Sequence, residues 1–123
     1  MARFRLVVLS NPRDGRDDEF NDWYDNVHLK DVLAVDGIVA ARRFKLSGAD
    51  QWRYLALYDM ECDEPQVVVQ ELLSRAGTDR MTLSDAFDMD HYFMAVAEPI
   101  SELGPEPYGA SEISHDTTPF MPG

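Results

Sequence analysis

The sequence predicts an α+β fold in the order β-α-β-β-α-β, built on a four-stranded antiparallel sheet. Three observations carry this reading. Four short runs are apolar and branched or aromatic, as strands are. Two stretches repeat apolar residues at helical spacing, and turn-forming Pro, Gly, Asn and Asp separate the segments. The length of 123 residues, 45% of them hydrophobic and 28% charged, suits one globular domain.

The first strand is Arg3 to Ser10, branched and apolar at Leu6-Val7-Val8-Leu9, and Asn11-Pro12-Arg13-Asp14-Gly15 turns the chain. Asp17-Asp18-Glu19 then place negative charge where a helix N-terminus favours it. Phe20, Trp23, Tyr24 and Val27 form one apolar stripe, so a helix runs to about His28, with Asp31 capping a short further turn through Leu33. Asp36-Gly37 stops it. The second strand is Ile38 to Leu46, Ser47-Gly48-Ala49-Asp50 is a turn, and the third strand is Trp52 to Tyr58. Asp63-Glu64-Pro65 opens a helix with apolar positions Val67, Val68, Leu72 and Leu73. A short helix is expected near Thr82 to Ala86, and His91 to Ala97 is the fourth strand. This order is the split βαβ arrangement of ferredoxin-like folds. From Pro99 onward the chain holds five of its seven prolines and three of its seven glycines. Residues 1–98 therefore read as the domain and 99–123 as an extended arm.

Both faces of the expected sheet are partly apolar. Ile38, Ala40, Phe44 and Leu46 fall on one face of strand two, with Val39 and Ala41 on the other. In strand three, Trp52, Tyr54, Ala56 and Tyr58 oppose Leu55 and Leu57. Two helices cover one face only, and an apolar sheet face left in water is an aggregation risk. A second copy packed sheet to sheet, as a two-fold homodimer, is the economical cover.

Charge narrows the partners. The net charge is −12, and it is uneven: residues 1–61 carry nine basic and eleven acidic side chains, residues 62–123 two and twelve. Such a field repels phosphate backbones and anionic lipid, so neither nucleic acid nor a membrane is an expected partner. The N-terminal apolar run is too short for a signal-peptide core, no stretch approaches the ~20 apolar residues of a membrane span, and the single Cys62 forms no internal disulfide. A cytoplasmic location is the expectation.

The most informative segment is residues 20–33. His28 stands four residues after Tyr24 and eight after Phe20, and Asp31 follows three later. A carboxylate beside an imidazole fixes its tautomer and raises its basicity, which suits a general base. The plainer alternative is a half-buried histidine bridging helix and sheet, with Asp31 as a cap. Arg42-Arg43 interrupts an apolar strand, so one guanidinium faces the helices and the other the dimer side. The inward one needs an anion: Asp31, an acid of the other copy, or a substrate carboxylate or enolate, the alternative being a structural ion pair. Trp23, Tyr24, Tyr54 and Tyr92 are candidate walls for a flat organic ligand, or core packing. No glycine-rich phosphate loop, nucleophile elbow or metal-ligand spacing is present, and Cys62 in an acidic setting is a poor nucleophile.

The segment Phe20 to Phe44 resembles the helix-one to strand-two signature of EthD-like proteins of the dimeric α+β barrel superfamily. The matching residues are Trp23-Tyr24, His28, Asp31-Val32-Leu33, Val35-Asp36-Gly37 and Ala41-Arg42-Arg43-Phe44. Asp36 stands where that pattern usually has Pro, which touches the turn rather than the site. The superfamily includes cofactor-independent monooxygenases, polyketide cyclases, muconolactone isomerase-like enzymes and haem-degrading proteins. The resemblance implies a dimeric α+β barrel and a pocket between sheet and helices with His28 as its typical polar group. Haem is not expected of so acidic a chain without an evident axial ligand.

These readings combine into one expectation. The protein is a cofactor-independent enzyme that abstracts a proton from a hydrophobic aromatic or polycyclic carbonyl compound, using His28 and Asp31, with Trp23, Tyr24, Arg42, Arg43, Tyr54 and Tyr92 around the substrate. No metal or other cofactor is called for. The competing expectation is a non-catalytic binding or accessory protein with the same pocket.

Overall fold

Strand alternation organises the structure, a computed structural model that describes residues 2–105. Along β1 (Arg3–Pro12), Leu6, Val8, Ser10 and Pro12 are buried while the residues between them are half-buried. β1 pairs antiparallel with β3 (Tyr54–Glu61) on one side and β4 (Phe87–Ala97) on the other. β3 also pairs antiparallel with β2 (Ile38–Lys45), so the sheet order is β2-β3-β1-β4. Helices α1 (Asp17–Trp23), α2 (Leu29–Leu33) and α3 (Pro65–Arg75) connect the strands, with a π-helical turn, Tyr24–His28, joining the first two. This is the ferredoxin-like arrangement that the segment order predicts.

The core lies between the helices and the inner sheet face. Leu6, Phe20, Val32, Val35, Tyr58, Met60 and Met81 are almost wholly buried there. The opposite sheet face carries Val7, Leu9, Leu55 and Leu57, half-buried and without a covering layer among the described residues, and Phe93, which is exposed. Arg5 donates to Asp59 across that face at 3.0 Å.

Four local expectations need correction. The first helix does not end at His28; it passes through the π turn and continues to Leu33. Asp31 caps nothing, because no side-chain hydrogen bond closes either end of α2. No helix forms at 82–86. The groups of that segment have distant partners instead: Thr82 O accepts from Trp23 Nε1, Asp85 O from Arg13 and Arg16, and Ala86 O from the Arg13 N–H. The faces of β2 also differ from simple alternation. Ile38 pairs with Met60 but Ala40 with Asp59, so one extra residue sits between them. Beyond this bulge, Ala41, Arg43 and Lys45 share the inner face with Ile38, and Ala40, Arg42 and Phe44 lie on the outer one.

Residues 99–105 of the expected arm have no helix or strand, and Ile100 and Leu103 are fully exposed. The rest of the arm lies outside the described residues.

Gly37 shows how tightly the α2–β2 connection fits. Its φ is +97°, and an added Cβ would stand 2.9 Å from Val68 Cγ2. Gly37→Ala combines backbone strain with a clash and should cost about 1–3 kcal/mol in denaturant titrations.

Candidate functional site

The π turn sets the register of the site. The Leu29 N–H bonds to Tyr24 O, five residues back, which accommodates one residue more than an α-helix would. The buried stripe that starts at Phe20, Trp23 and Tyr24 therefore continues at Val32 and Val35, and Val27 is turned outward at 39% exposure. His28 takes the place that plain helical spacing gives to Val27. π turns of this kind are frequent at functional sites.

His28 is half-buried. Its ring stacks on Trp23, with centroids 4.5 Å apart, and stands edge-on to Tyr24 at 5.0 Å. Its Nδ1 is buried without a hydrogen-bond partner, so no contact from Asp31 orients it. Burial, and then the charge of Arg43, lower the His28 pKa to about 4. The imidazole is thus neutral at pH 7.

This has a definite stability signature. Between pH 6.5 and about 4 the unfolded chain holds a proton on His28 that the folded chain lacks, so stability falls as pH falls through that window. The loss amounts to roughly 3 kcal/mol at most and is complete below the folded pKa. Denaturation midpoints from pH 7 to 4 should decline in the wild type and decline less in His28→Gln. Glu71, whose carboxyl is held below its usual range by the Arg75 hydrogen bond, adds its own loss at lower pH in both proteins.

Arg43 is the arginine that faces the helices. Nη1 donates to Asp25 Oδ1 at 2.9 Å and Nη2 to Asn21 Oδ1 at 2.7 Å. Its guanidinium carbon lies 4.2 Å from the Tyr24 ring centroid, a cation–π contact, and 5.5 Å from that of Tyr54. Its anionic partner is thus Asp25, six residues before the expected Asp31. Nε is buried and unpartnered. Arg42 pairs with Leu57 in register and belongs to the outer face. Arg43→Leu would leave Asn21 and Asp25 without their donor and should cost about 2 kcal/mol by thermal or chemical unfolding, moderated by the exposure of Asp25.

Tyr54 closes the same end of the helix. Its hydroxyl donates to Asp17 Oδ2 at 3.1 Å and accepts from Asn21 Nδ2 at 3.3 Å. Trp23 is buried and donates to Thr82 O at 3.1 Å. Beneath Tyr24 are Tyr58 and Ser10, both almost fully buried. Burial, and then the Tyr24 phenol, push the Tyr58 pKa well above its usual value. The two phenols are neighbours but not in hydrogen-bonding geometry, since the Tyr58 hydroxyl has no partner. Burial likewise raises the Tyr24 pKa, against the lowering influence of the nearby Tyr58 hydroxyl, the charge of Arg43 and the Ser10 hydroxyl.

Tyr92 stands apart from this cluster. It is 44% exposed and lines an open groove of about 400 Å³ between α3 and β4, together with Leu6, Val69, Leu73, Met94 and Val96. Cross-strand pairing ties the groove to the cluster. Tyr92 is paired with Ser10, and Leu6 with Tyr58, so residues lining the groove are cross-strand neighbours of residues in the cluster. Phe87 makes a second link, contacting Tyr92 at 5.9 Å and Trp23 at 5.8 Å. Among the described residues, no cluster of three or more His, Cys, Asp or Glu side chains could hold a metal ion.

The sequence reading omits Asn21, Asp25, Ser10 and Tyr58 from the site. Asn21 and Asp25 belong to the segment that the reading singles out, four residues apart, and their role becomes visible once Arg43 is known to face inward. Ser10, the one buried polar residue of β1, carries no motif.

The likeness to known structures follows this geometry. An ethyl tert-butyl ether D (EthD) family protein from Bacillus halodurans C-125 superposes with a TM-score of 0.55 at 13% identity, covering 81% of this chain and all of that one. The two share the ferredoxin-like fold. An EthD-like protein from Ralstonia eutropha JMP134 matches it with a TM-score of 0.57 at 16% identity over 84% of this chain and 96% of that one. A DABB family protein with a ferredoxin-like fold from Mesorhizobium loti MAFF303099 gives 0.58 at 9% identity, over 82% and 100%. No family model matches the sequence. The curated core atranone cluster protein 1 of Stachybotrys chlorohalonatus is 38% identical over 77 residues, 60% of this chain. The chain spans about a third of that relative's length, 32%. None of the described helices is long and apolar enough to cross a membrane.

Proposed function

We propose that the protein is a cofactor-independent enzyme that abstracts a proton next to the carbonyl of a hydrophobic, aromatic or polycyclic compound. The observation that carries this reading is the meeting of a neutral imidazole and a half-buried guanidinium on the same tyrosine ring, each with an unpartnered nitrogen. In the step, the carbon–hydrogen bond breaks, the proton passes to His28, and the electron pair moves onto the carbonyl oxygen as an enolate. Arg43 offsets that charge as it develops. The same cation that disfavours imidazolium in the free protein ceases to do so once the enolate neutralises it. Return of the proton at another carbon is an isomerisation, attack of the enolate on a second carbonyl is a cyclisation, and reaction with dioxygen is a monooxygenation. The groove beside Tyr92 takes the apolar body of the substrate. Asp31 enters as a minor participant, since it makes no hydrogen bond to His28.

The test is hydrogen–deuterium exchange at the acidic carbon of 2-tetralone in D₂O, followed by NMR. Protein-dependent exchange that is lost in His28→Ala supports the enzyme. A second reading, a binding or accessory protein, draws on the same His28, because an imidazole with a pKa of about 4 is a weak base. Saturable binding of 2-tetralone without exchange selects it. The name of the Stachybotrys relative, a core atranone cluster protein, supports small-molecule metabolism under either reading.

We further propose that two copies pack outer face to outer face as a cytoplasmic homodimer in the dimeric α+β barrel arrangement. The apolar Val7, Leu9, Leu55, Leu57 and Phe93 support it, being left uncovered by the described residues of one chain. Light scattering of the full chain should give twice the monomer mass, and a stable monomer would refute the dimer.

A further inference from the structure

A guanidinium that recognises a carboxylate or phosphate does so best with two nitrogens at once. Arg43 has both terminal nitrogens engaged, with Asp25 and with Asn21, and Nε is its unpartnered nitrogen. A second unpartnered donor lies nearby on the same sheet face. Arg43 pairs with Ala56, and Tyr58 is two residues further along β3, its hydroxyl buried and unbonded. The small Ala56 side chain separates the two. A buried hydroxyl without a partner is costly, and natural proteins rarely leave one without a use. The groove between α3 and β4 has Leu6, the cross-strand neighbour of Tyr58, in its lining, and that lining has no charged side chain.

From these observations we propose that Tyr58 and Arg43 Nε form a subsite for a single ligand oxygen, and that the site selects phenols and enols over carboxylates. The proposal rests on the pocket described above and adds Tyr58 as the donor that binds the oxygen. Two single donors on one sheet face suit one oxygen atom carrying partial or full negative charge. A carboxylate or phosphate would leave a charged oxygen facing apolar walls.

The probes are 2-naphthol and 2-naphthoate, which share one ring system and differ in the oxygen group. Binding to the full chain is read at pH 7 by probe fluorescence. 2-Naphthol should bind about tenfold or more tightly than 2-naphthoate. Tyr58→Phe, checked for folding by circular dichroism, should weaken naphthol binding about tenfold and leave naphthoate binding little changed. Bound naphthol should also ionise at lower pH than the free probe, seen as its absorbance shift, and Tyr58→Phe should reverse part of that change. Equal affinity for the two probes, preference for naphthoate, no binding of either, or no effect of Tyr58→Phe would each overturn the proposal. Neither probe carries an acidic carbon-bound proton, so failure of the His28 chemistry leaves this readout intact. Conversely, tetralone exchange that depends on His28 while the two naphthalenes bind alike refutes the subsite and keeps the base.

Discussion

His28→Ala should lower turnover by roughly 10²–10⁴-fold, the usual contribution of a general base, while the protein stays folded. Asp31→Asn should stay within about twofold of wild type, because no hydrogen bond joins Asp31 to the imidazole. The pH profile adds a separate expectation. With a His28 pKa of about 4, the base form persists across pH 5–8, so activity should not fall near pH 6.5 as it would for an unperturbed imidazole. If His28 is instead a packing residue, stacked on Trp23 and edge-on to Tyr24, its removal loosens those rings and lowers stability by about 1–3 kcal/mol with activity per folded molecule unchanged. Melting temperature and tetralone exchange on the same variants separate the two. Wild-type exchange in His28→Ala would end the catalytic reading.

Phe20→Ala should be the most damaging single change to stability, at about 3–5 kcal/mol. Phe20 is fully buried, and its ring lies within 5.3–6.3 Å, centroid to centroid, of Trp23, Tyr24, Tyr54 and Phe87. Against a typical total of about 5–15 kcal/mol, that loss brings a domain of this size near its unfolding threshold. Urea titration measures it directly. A loss below about 1 kcal/mol would show that the aromatic cluster repacks readily. Phe20→Leu keeps most of the volume and should recover much of the stability, but not the ring contacts that hold Tyr24 under Arg43.

Much of the fold was legible in residue order because the strands are branched or aromatic and the helices amphipathic. Tyr54, Ala56 and Tyr58 share the inner face of β3 as alternation requires. What could not be read were two one-residue insertions. The π turn leaves His28 on the inward stripe, where its spacing from Tyr24 and Phe20 puts it, but turns Val27 outward, and the β2 bulge moves Phe44 off the face of Ile38. Each depends on tertiary contact rather than local propensity. Helical spacing is indifferent between positions 27 and 28 when both are three or four residues from Tyr24. The segment near Thr82 is not the helix expected there, because Trp23, Arg13 and Arg16 donate to its carbonyls. His28 and the arginine pair were visible as exceptions to an apolar pattern. Tyr58 was not, since a tyrosine in a strand is ordinary until its hydroxyl is found without a partner.

The bulge between Ile38 and Ala40 also decides how site labels can be inherited between distant relatives. A chain without the extra residue would carry its inward cation one position nearer the preceding glycine. An alignment column drawn without a gap would then equate that cation with Arg42, on the wrong side of the sheet. Gaps inside a strand are what alignment methods penalise most heavily, so at 9–16% identity the mistaken column is the one that scores better. Correspondence for this residue has to be established by superposing strands and asking which guanidinium lies over the tyrosine.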